Sequence, residues 1–171
     1  MNWPSCDFKH IVAKDSFIPK YLYSSTVLCD SACPVEGTHS PGPILVVDDN
    51  ADGRDMLVEY LQFKGFTVRE ASTGAAALAL AATLRPRLIL MDLAMRDLDG
   101  FEATRRLRAA PSTKDAIIVA VTARAFATDR DEAHRAGCDA FISKPFDLAT
   151  LADYIDRILQ QRRSRSRGTP Y

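Results

Sequence analysis

The chain has no surplus of charge of either sign, since Lys plus Arg and Asp plus Glu both number 22. That balance removes any whole-chain argument for a nucleic-acid or acidic-surface partner. No apolar run comes near the roughly 20 residues that span a bilayer. The N-terminus, with Pro4 and Asp7 close to its start, has no basic stretch leading into an apolar one. Neither a membrane span nor a secretory leader is expected, and the expected compartment is the cytoplasm. Cysteine is sparse and unevenly spread, at Cys6, Cys29, Cys33 and Cys138, and only the last falls where the periodicity of a folded domain is present. A disulfide framework is therefore not expected. Cys29, Cys33 and His39 lack a fourth ligand at the spacing of a zinc site.

What is there begins at Ile44. Residues 1–43 show little periodicity and end in a Pro/Gly-rich passage, Cys33-Pro34 through Pro41-Gly42-Pro43, which reads as a linker or disordered extension. Beyond it, short apolar runs alternate with amphipathic stretches, the signature of repeated βα units around a parallel sheet. With 47% hydrophobic residues in 171, the chain can bury one good core. The runs predict strands over Ile44 to Val47, Thr67 to Glu70, Leu88 to Met91, Ile117 to Val121 and Ala140 to Ile142. Helices are predicted over Ala51 to Lys64, with Met56, Leu57, Tyr60 and Leu61 on one face, over Gly74 to Leu84, stopped by Pro86, and over Phe101 to Ala109. A fourth is expected from near Thr128, whose hydroxyl would cap it, to Gly137. The fifth is marked by Leu148, Leu151, Ala152, Ile155, Ile158 and Leu159 at helical spacing. The expected architecture is a doubly wound five-stranded parallel sheet with five helices, in the order 2-1-3-4-5 common at this length. The folded unit is expected over residues 44–161. Residues 162–171 form a basic tail in which Arg162, Arg163, Arg165 and Arg167 read as a solvated helix end rather than a nucleic-acid or lipid contact.

In an open α/β sheet, ligands bind beyond the carboxyl ends of the strands, where the strand order reverses. Asp48 and Asp49 close the first strand and Asp92 the third, so three carboxylates are expected at that crevice. An Asp-Asp-Asn run after a strand also serves as a helix cap, but the third carboxylate calls for a further reason. Crowded like charges are relieved by protonation or by a hard divalent cation with oxygen ligands, and Mg2+ suits such a set best. Thr122 and Lys144, after the fourth and fifth strands, would add a hydroxyl donor and a cation at the same edge. Singly, Thr122 also reads as a turn residue and Lys144 as a solvated charge. Together, a metal, an ammonium and a hydroxyl are what a phosphoryl group on a carboxylate needs.

These residues carry a resemblance. The stretch Ile44 to Gln161 resembles the receiver domains of response regulators in two-component signalling. It does so through Asp48-Asp49 in Ile44-Leu-Val-Val-Asp-Asp-Asn, Asp92 in Leu90-Met-Asp-Leu, Thr122-Ala123 and Lys144-Pro145-Phe146, spaced 43, 30 and 22 residues apart from Asp49 onward. The resemblance implies a flavodoxin-like receiver fold and a phosphoacceptor rather than an enzyme. Asp92 would attack the phosphohistidine of a sensor histidine kinase or of a histidine phosphotransfer protein. Asp49, Asp92 and the backbone carbonyl of Ala94 would hold Mg2+, with Asp48 acting mainly through metal-bound water. Lys144 would pair with a phosphoryl oxygen, with the bond before Pro145 cis. Thr122 would bind another oxygen, and its movement would let Phe141 turn inward. Phe141 also reads as a permanent core aromatic. The readout surface would be the fourth helix, fifth strand and fifth helix, which could also carry a homodimer.

The family places Met-Pro after the acceptor, whereas here Met95 is followed by Arg96, which puts the stiffness of that loop in doubt while the Asp99-Gly100 turn is retained. Ala94 and Arg124 stand two residues beyond Asp92 and Thr122, where access of water to the phosphoryl group is shaped, and Arg124 is expected to shield it. No DNA-binding domain is expected in this chain, so its output is expected through another protein. Two rival readings are a Mg2+-dependent phosphatase with an Asp nucleophile, whose Asp-x-Asp motif is missing after the first strand, and a binding module of the same fold that is never phosphorylated. A flavin or nucleotide site would need a Gly- or hydroxyl-rich phosphate loop where Asp48 and Asp49 stand.

Overall fold

β1 (Ile44–Val47) reads Ile-Leu-Val-Val with all four residues buried, and β3 (Leu88–Met91) and β4 (Ile117–Thr122) are buried along their whole length. Strands covered on both faces carry continuous apolar runs. A computed structural model describes residues 42–96, 98–123 and 127–166, with Ala127 and 162–166 described in backbone only. The expectations for residues 1–41, including the zinc fragment, and for Arg124 and Arg167 lie outside the described residues. With β2 (Val68–Ala71) and β5 (Ala140–Ser143) at the edges, the five strands form one parallel sheet in the order β2-β1-β3-β4-β5.

The helices are α1 (Ala51–Phe63), α2 (Gly74–Leu84), α3 (Gly100–Ala109), α4 (Ala127–Ala136) and α5 (Leu148–Ser166). Strand alternation divides the core between the two faces of the sheet. Leu45, Val47, Ile89, Met91, Ile118 and Ala120 join side chains of α2, α3 and α4 on one face. On the other, Ile44, Val46, Leu88, Leu90, Val119 and Val121 meet Leu57 and Leu61 of α1 and Leu151, Ala152, Ile155 and Leu159 of α5.

Four local expectations are corrected. β2 begins at Val68 instead of Thr67, because Val68 pairs with Ile44 while Thr67 contributes only its carbonyl, which accepts from Ile44 N–H at 2.8 Å. On α1 the buried residues are Leu57 and Leu61, while Met56 is 54% exposed, so the apolar face lies to one side of it. α3 takes in Gly100, and α4 opens at Ala127, which places Thr128 inside the helix and denies its hydroxyl the capping position. The fifth helix runs to Ser166, so its backbone takes in Arg162, Arg163 and Arg165 of the basic tail. The helix stops follow simple rules: Arg85 takes a left-handed φ of 47° before Pro86, and Gly137 closes α4 at φ 105°.

One arginine ties the end of the domain opposite the strands' carboxyl termini. Arg108, near the C-terminus of α3, donates from Nε to Gly137 O at 2.8 Å and from its terminal nitrogens to Lys114 O, Ala116 O and the carboxylate of Asp139, which also accepts from Ile118 N–H at 2.8 Å. It therefore satisfies carbonyls of the α3–β4 and α4–β5 connections at once. Arg108→Ala is expected to lose about 2 kcal/mol of stability, and Arg108→Lys most of that, because one ammonium cannot span the four acceptors. Urea unfolding midpoints of the two variants measure this, and a midpoint unchanged in both would sink the assignment.

Cys138, beside this knot, is buried with its thiol 3.9 Å from the Thr104 hydroxyl, and burial pushes its pKa up to about 11. With Cys6, Cys29 and Cys33 changed to Ser, iodoacetamide at pH 8 is expected to alkylate Cys138 about 100-fold more slowly than an ordinary thiol, because so little of it is thiolate. Urea should abolish the protection; rapid labelling of the folded protein would contradict the burial.

Candidate functional site

Each candidate side chain is carried to the sheet's carboxyl edge by a strand whose ladder continues one residue past its formal end. Asp48 N–H donates to Ala71 O at 3.2 Å, Asp92 N–H to Val47 O at 2.9 Å, and Lys144 N–H to Thr122 O at 2.8 Å. The backbone thus sets the positions of Asp48, Asp92 and Lys144 before any side-chain contact is made. Thr122 is the last residue of β4, with its side chain wholly buried.

Oxygens of Asp48, Asp49 and Asp92 lie within 4.8 Å of one another. Asp48 and Asp92 are 6% and 7% exposed, and buried carboxylates so close together need compensation. Lys144 supplies it, with Nζ at 2.7 Å from Asp48 Oδ2 and 2.8 Å from Asp92 Oδ2. The second oxygen of each carboxylate is held by a backbone N–H two residues on, Asn50 to Asp48 and Ala94 to Asp92, both at 2.8 Å. Burial alone would push the Lys144 ammonium down, but its hydrogen bonds to Asp48 and Asp92 more than offset this and hold its pKa above the usual lysine range.

The Asp-Asp-Asn run divides its labour. Asn50 caps α1 by accepting from Gly53 N–H at 2.9 Å, which leaves both aspartates to the pocket. Asp49, whose side chain is 24% exposed, pairs with Arg96 Nε at 3.0 Å, and the hydrogen bond from that guanidinium holds its carboxyl below the usual range. Arg54 braces the loop from behind, donating to Asp48 O at 2.9 Å and pairing with Glu70 at 3.1 Å.

Ala94 is exposed at the mouth of the pocket, and the Lys144–Pro145 bond is cis. Phe141 is half-buried in β5 opposite Ala120, on the sheet face that alternation gives to Thr122, and its ring lies 5.5 Å under the guanidinium of Arg130 on α4. Gly100 makes the closest approach: a Cβ there would stand 2.3 Å from the carbonyl oxygen of Asp92 and 2.7 Å from Leu93 Cα. The roles of Arg54, Gly100 and Arg96 as neighbours of the site escaped the sequence reading. For Arg96 a signal existed, since it stands where the resemblance called for proline.

The oxygen-only donor set, with Asp48 and Asp92 buried and Asp49 part-exposed, is within reach of a single cation and fits a hard divalent ion such as Mg2+. An open parallel sheet of this order with a carboxylate crevice at its switch point is the arrangement of a receiver domain. The chain belongs to the response regulator receiver domain family, whose model matches residues 44–156. It is similar to the response regulator MprA of a Mycobacterium species (strain KMS), 40% identical over 129 residues that cover 75% of this chain and 54% of that protein. It is also similar to the polar-differentiation response regulator DivK of Brucella anthropi, 30% identical over 70% of this chain and 97% of that one. Among solved structures, a CheY-like receiver domain protein from Methanospirillum hungatei superposes with a TM-score of 0.69 at 27% identity, covering 74% of this chain and 99% of its own. The match thus spans about half of MprA and nearly all of DivK.

Proposed function

We propose that this chain accepts a phosphoryl group on Asp92 from a phosphohistidine, carried by a sensor histidine kinase or a histidine phosphotransfer protein, and passes the signal to a downstream protein through a change of shape. The observation that carries this reading is Lys144 bridging Asp48 and Asp92, with the oxygens of Asp49 inside the same 4.8 Å cluster. An Asp92 carboxylate oxygen would attack phosphorus in line, forming the acyl phosphate P–O bond as the P–N bond of the phosphohistidine breaks and its electron pair returns to the imidazole. Lys144 would turn from the carboxylates to a phosphoryl oxygen, a short step because it already lies against Asp92. The Ala94 N–H keeps Asp92 oriented throughout. Mg2+, held by Asp49, Asp92 and the Ala94 carbonyl with Asp48 acting through water, would offset the repulsion between the carboxylate and the phosphoryl oxygens.

The readout would start at Thr122, whose hydroxyl shifts to the phosphoryl group and lets Phe141 turn inward from beneath Arg130. The altered surface would then be α4, β5 and α5, a face for the downstream partner or a homodimer. Residues 44–161 would be the working unit, and Arg124 would shield the acyl phosphate from water. The proposed site of action is the cytoplasm; no helix among the described residues is long and apolar enough to cross a membrane.

The test is intact mass of the protein after incubation with Mg2+ and acetyl phosphate. One phosphoryl group should be gained, decaying once the donor is removed and absent when Mg2+ is withheld. Steady hydrolysis of an external phosphate ester with no covalent species would favour the phosphatase reading, and no gain at all would favour the unphosphorylated binding module.

A further inference from the structure

We propose that Arg96 is a built-in competitor of the divalent cation, its guanidinium holding Asp49 in the resting protein until the metal displaces it. The inference rests on the reading of the acidic pocket as a Mg2+ site and concerns how that site is loaded. Of the three clustered carboxylates, Asp48 and Asp92 share Lys144, whereas Asp49 depends on Arg96 alone among the ion pairs of the described residues. Asp49 is also the most open of the three, so it is the ligand a cation entering from solvent meets first. A divalent ion bound at Asp49 would repel the guanidinium that pairs with Oδ2 of the same carboxylate.

Arg96 is well placed to give way. It stands four residues past Asp92 with its side chain 87% exposed, and among the described residues its one ion pair is with Asp49. Arg54, a second arginine beside the crevice, is 13% exposed and engaged by Asp48 O and Glu70, and it braces rather than competes. Charge balance points the same way. Among the described residues, the three carboxylates and their ion-pair partners Lys144 and Arg96 leave one net negative charge, which a divalent ion would reverse if Arg96 stayed and would cancel if it left. With a proline in that place the site would have no such tethered cation and would load at lower metal concentration.

The test is Mg2+ titration of the full chain by calorimetry, together with the NMR signal of the Arg96 Nε–Hε group. Arg96→Ala is expected to bind Mg2+ about threefold more tightly than the native chain at low ionic strength, the size of an exposed ion pair, and the gain should shrink as salt screens the pair. Arg96→Lys should fall between the two. In the native chain, the Arg96 signal should move with the same midpoint as Mg2+ saturation. Equal affinity in both proteins, weaker binding by Arg96→Ala, or an Arg96 signal that ignores Mg2+ would each overturn the competition while leaving the metal site standing. Absence of saturable Mg2+ binding in the native chain would remove the metal site and the competition together.

Discussion

Asp92→Asn is expected to take up no phosphoryl group from acetyl phosphate while the native chain is labelled, a fall in rate of more than about a hundredfold. The substitution is nearly isosteric, and the Asn Oδ1 can still accept the Ala94 N–H that holds Asp92 at 2.8 Å. Lys144 keeps its bond to Asp48 at 2.7 Å, so the pocket stays assembled. What disappears is the nucleophile, because an amide oxygen does not form the acyl phosphate. The fall in labelling therefore reports chemistry and not unfolding, provided the thermal unfolding midpoint is preserved. Labelling of the Asn variant at the native rate would place the acceptor on another residue, Asp48 or Asp49 being nearest.

Gly100→Ala should destabilise the domain by about 3 kcal/mol, although alanine is the better helix former by roughly 1 kcal/mol. Two backbone atoms oppose the new methyl group: the Asp92 carbonyl oxygen at 2.3 Å and Leu93 Cα at 2.7 Å. Neither can rotate away as a flexible side chain would. Either α3 slides off the end of β3, uncovering Phe101 and Leu107, or the acceptor loop is pushed from the pocket. The expected drop in unfolding temperature is roughly 10 °C, with slower phosphorylation because the displaced carbonyl belongs to Asp92. A variant as stable as the native chain, or more so, would show that the helix start relaxes freely and that this approach sets nothing.

β1 and β3 match their predicted limits because they are wholly apolar as well as buried, so the run marks its own ends, whereas β4, equally buried, ends on the polar Thr122 one residue past the predicted Val121. At the sheet edge, β2 has Arg69 and Glu70 exposed between buried Val68 and Ala71, so composition could not say which residue pairs first, and the reading slipped by one. Met56 misled for a related reason. It neighbours Leu57 in a continuous apolar patch of sequence, and only the position of the sheet decides which side of α1 is covered.

The candidate residues Asp48, Asp49, Asp92, Thr122 and Lys144 could be placed in advance because each sits directly at a strand end, and parallel strands deliver such residues to one edge whatever the side chains do. That much the order of residues along the chain determined: strand, carboxylate, helix, repeated until one acidic edge is assembled. Tertiary structure alone decided which charge answers which. Lys144 shares itself between two aspartates 96 and 52 residues away, Arg96 reaches Asp49 across 47, and Arg108 gathers carbonyls from two connections. The physical reason is reach. Long cationic side chains choose partners by distance and burial once the backbone is in place, and backbone carbonyls, present at every residue, leave no mark in the sequence to show which of them will be chosen.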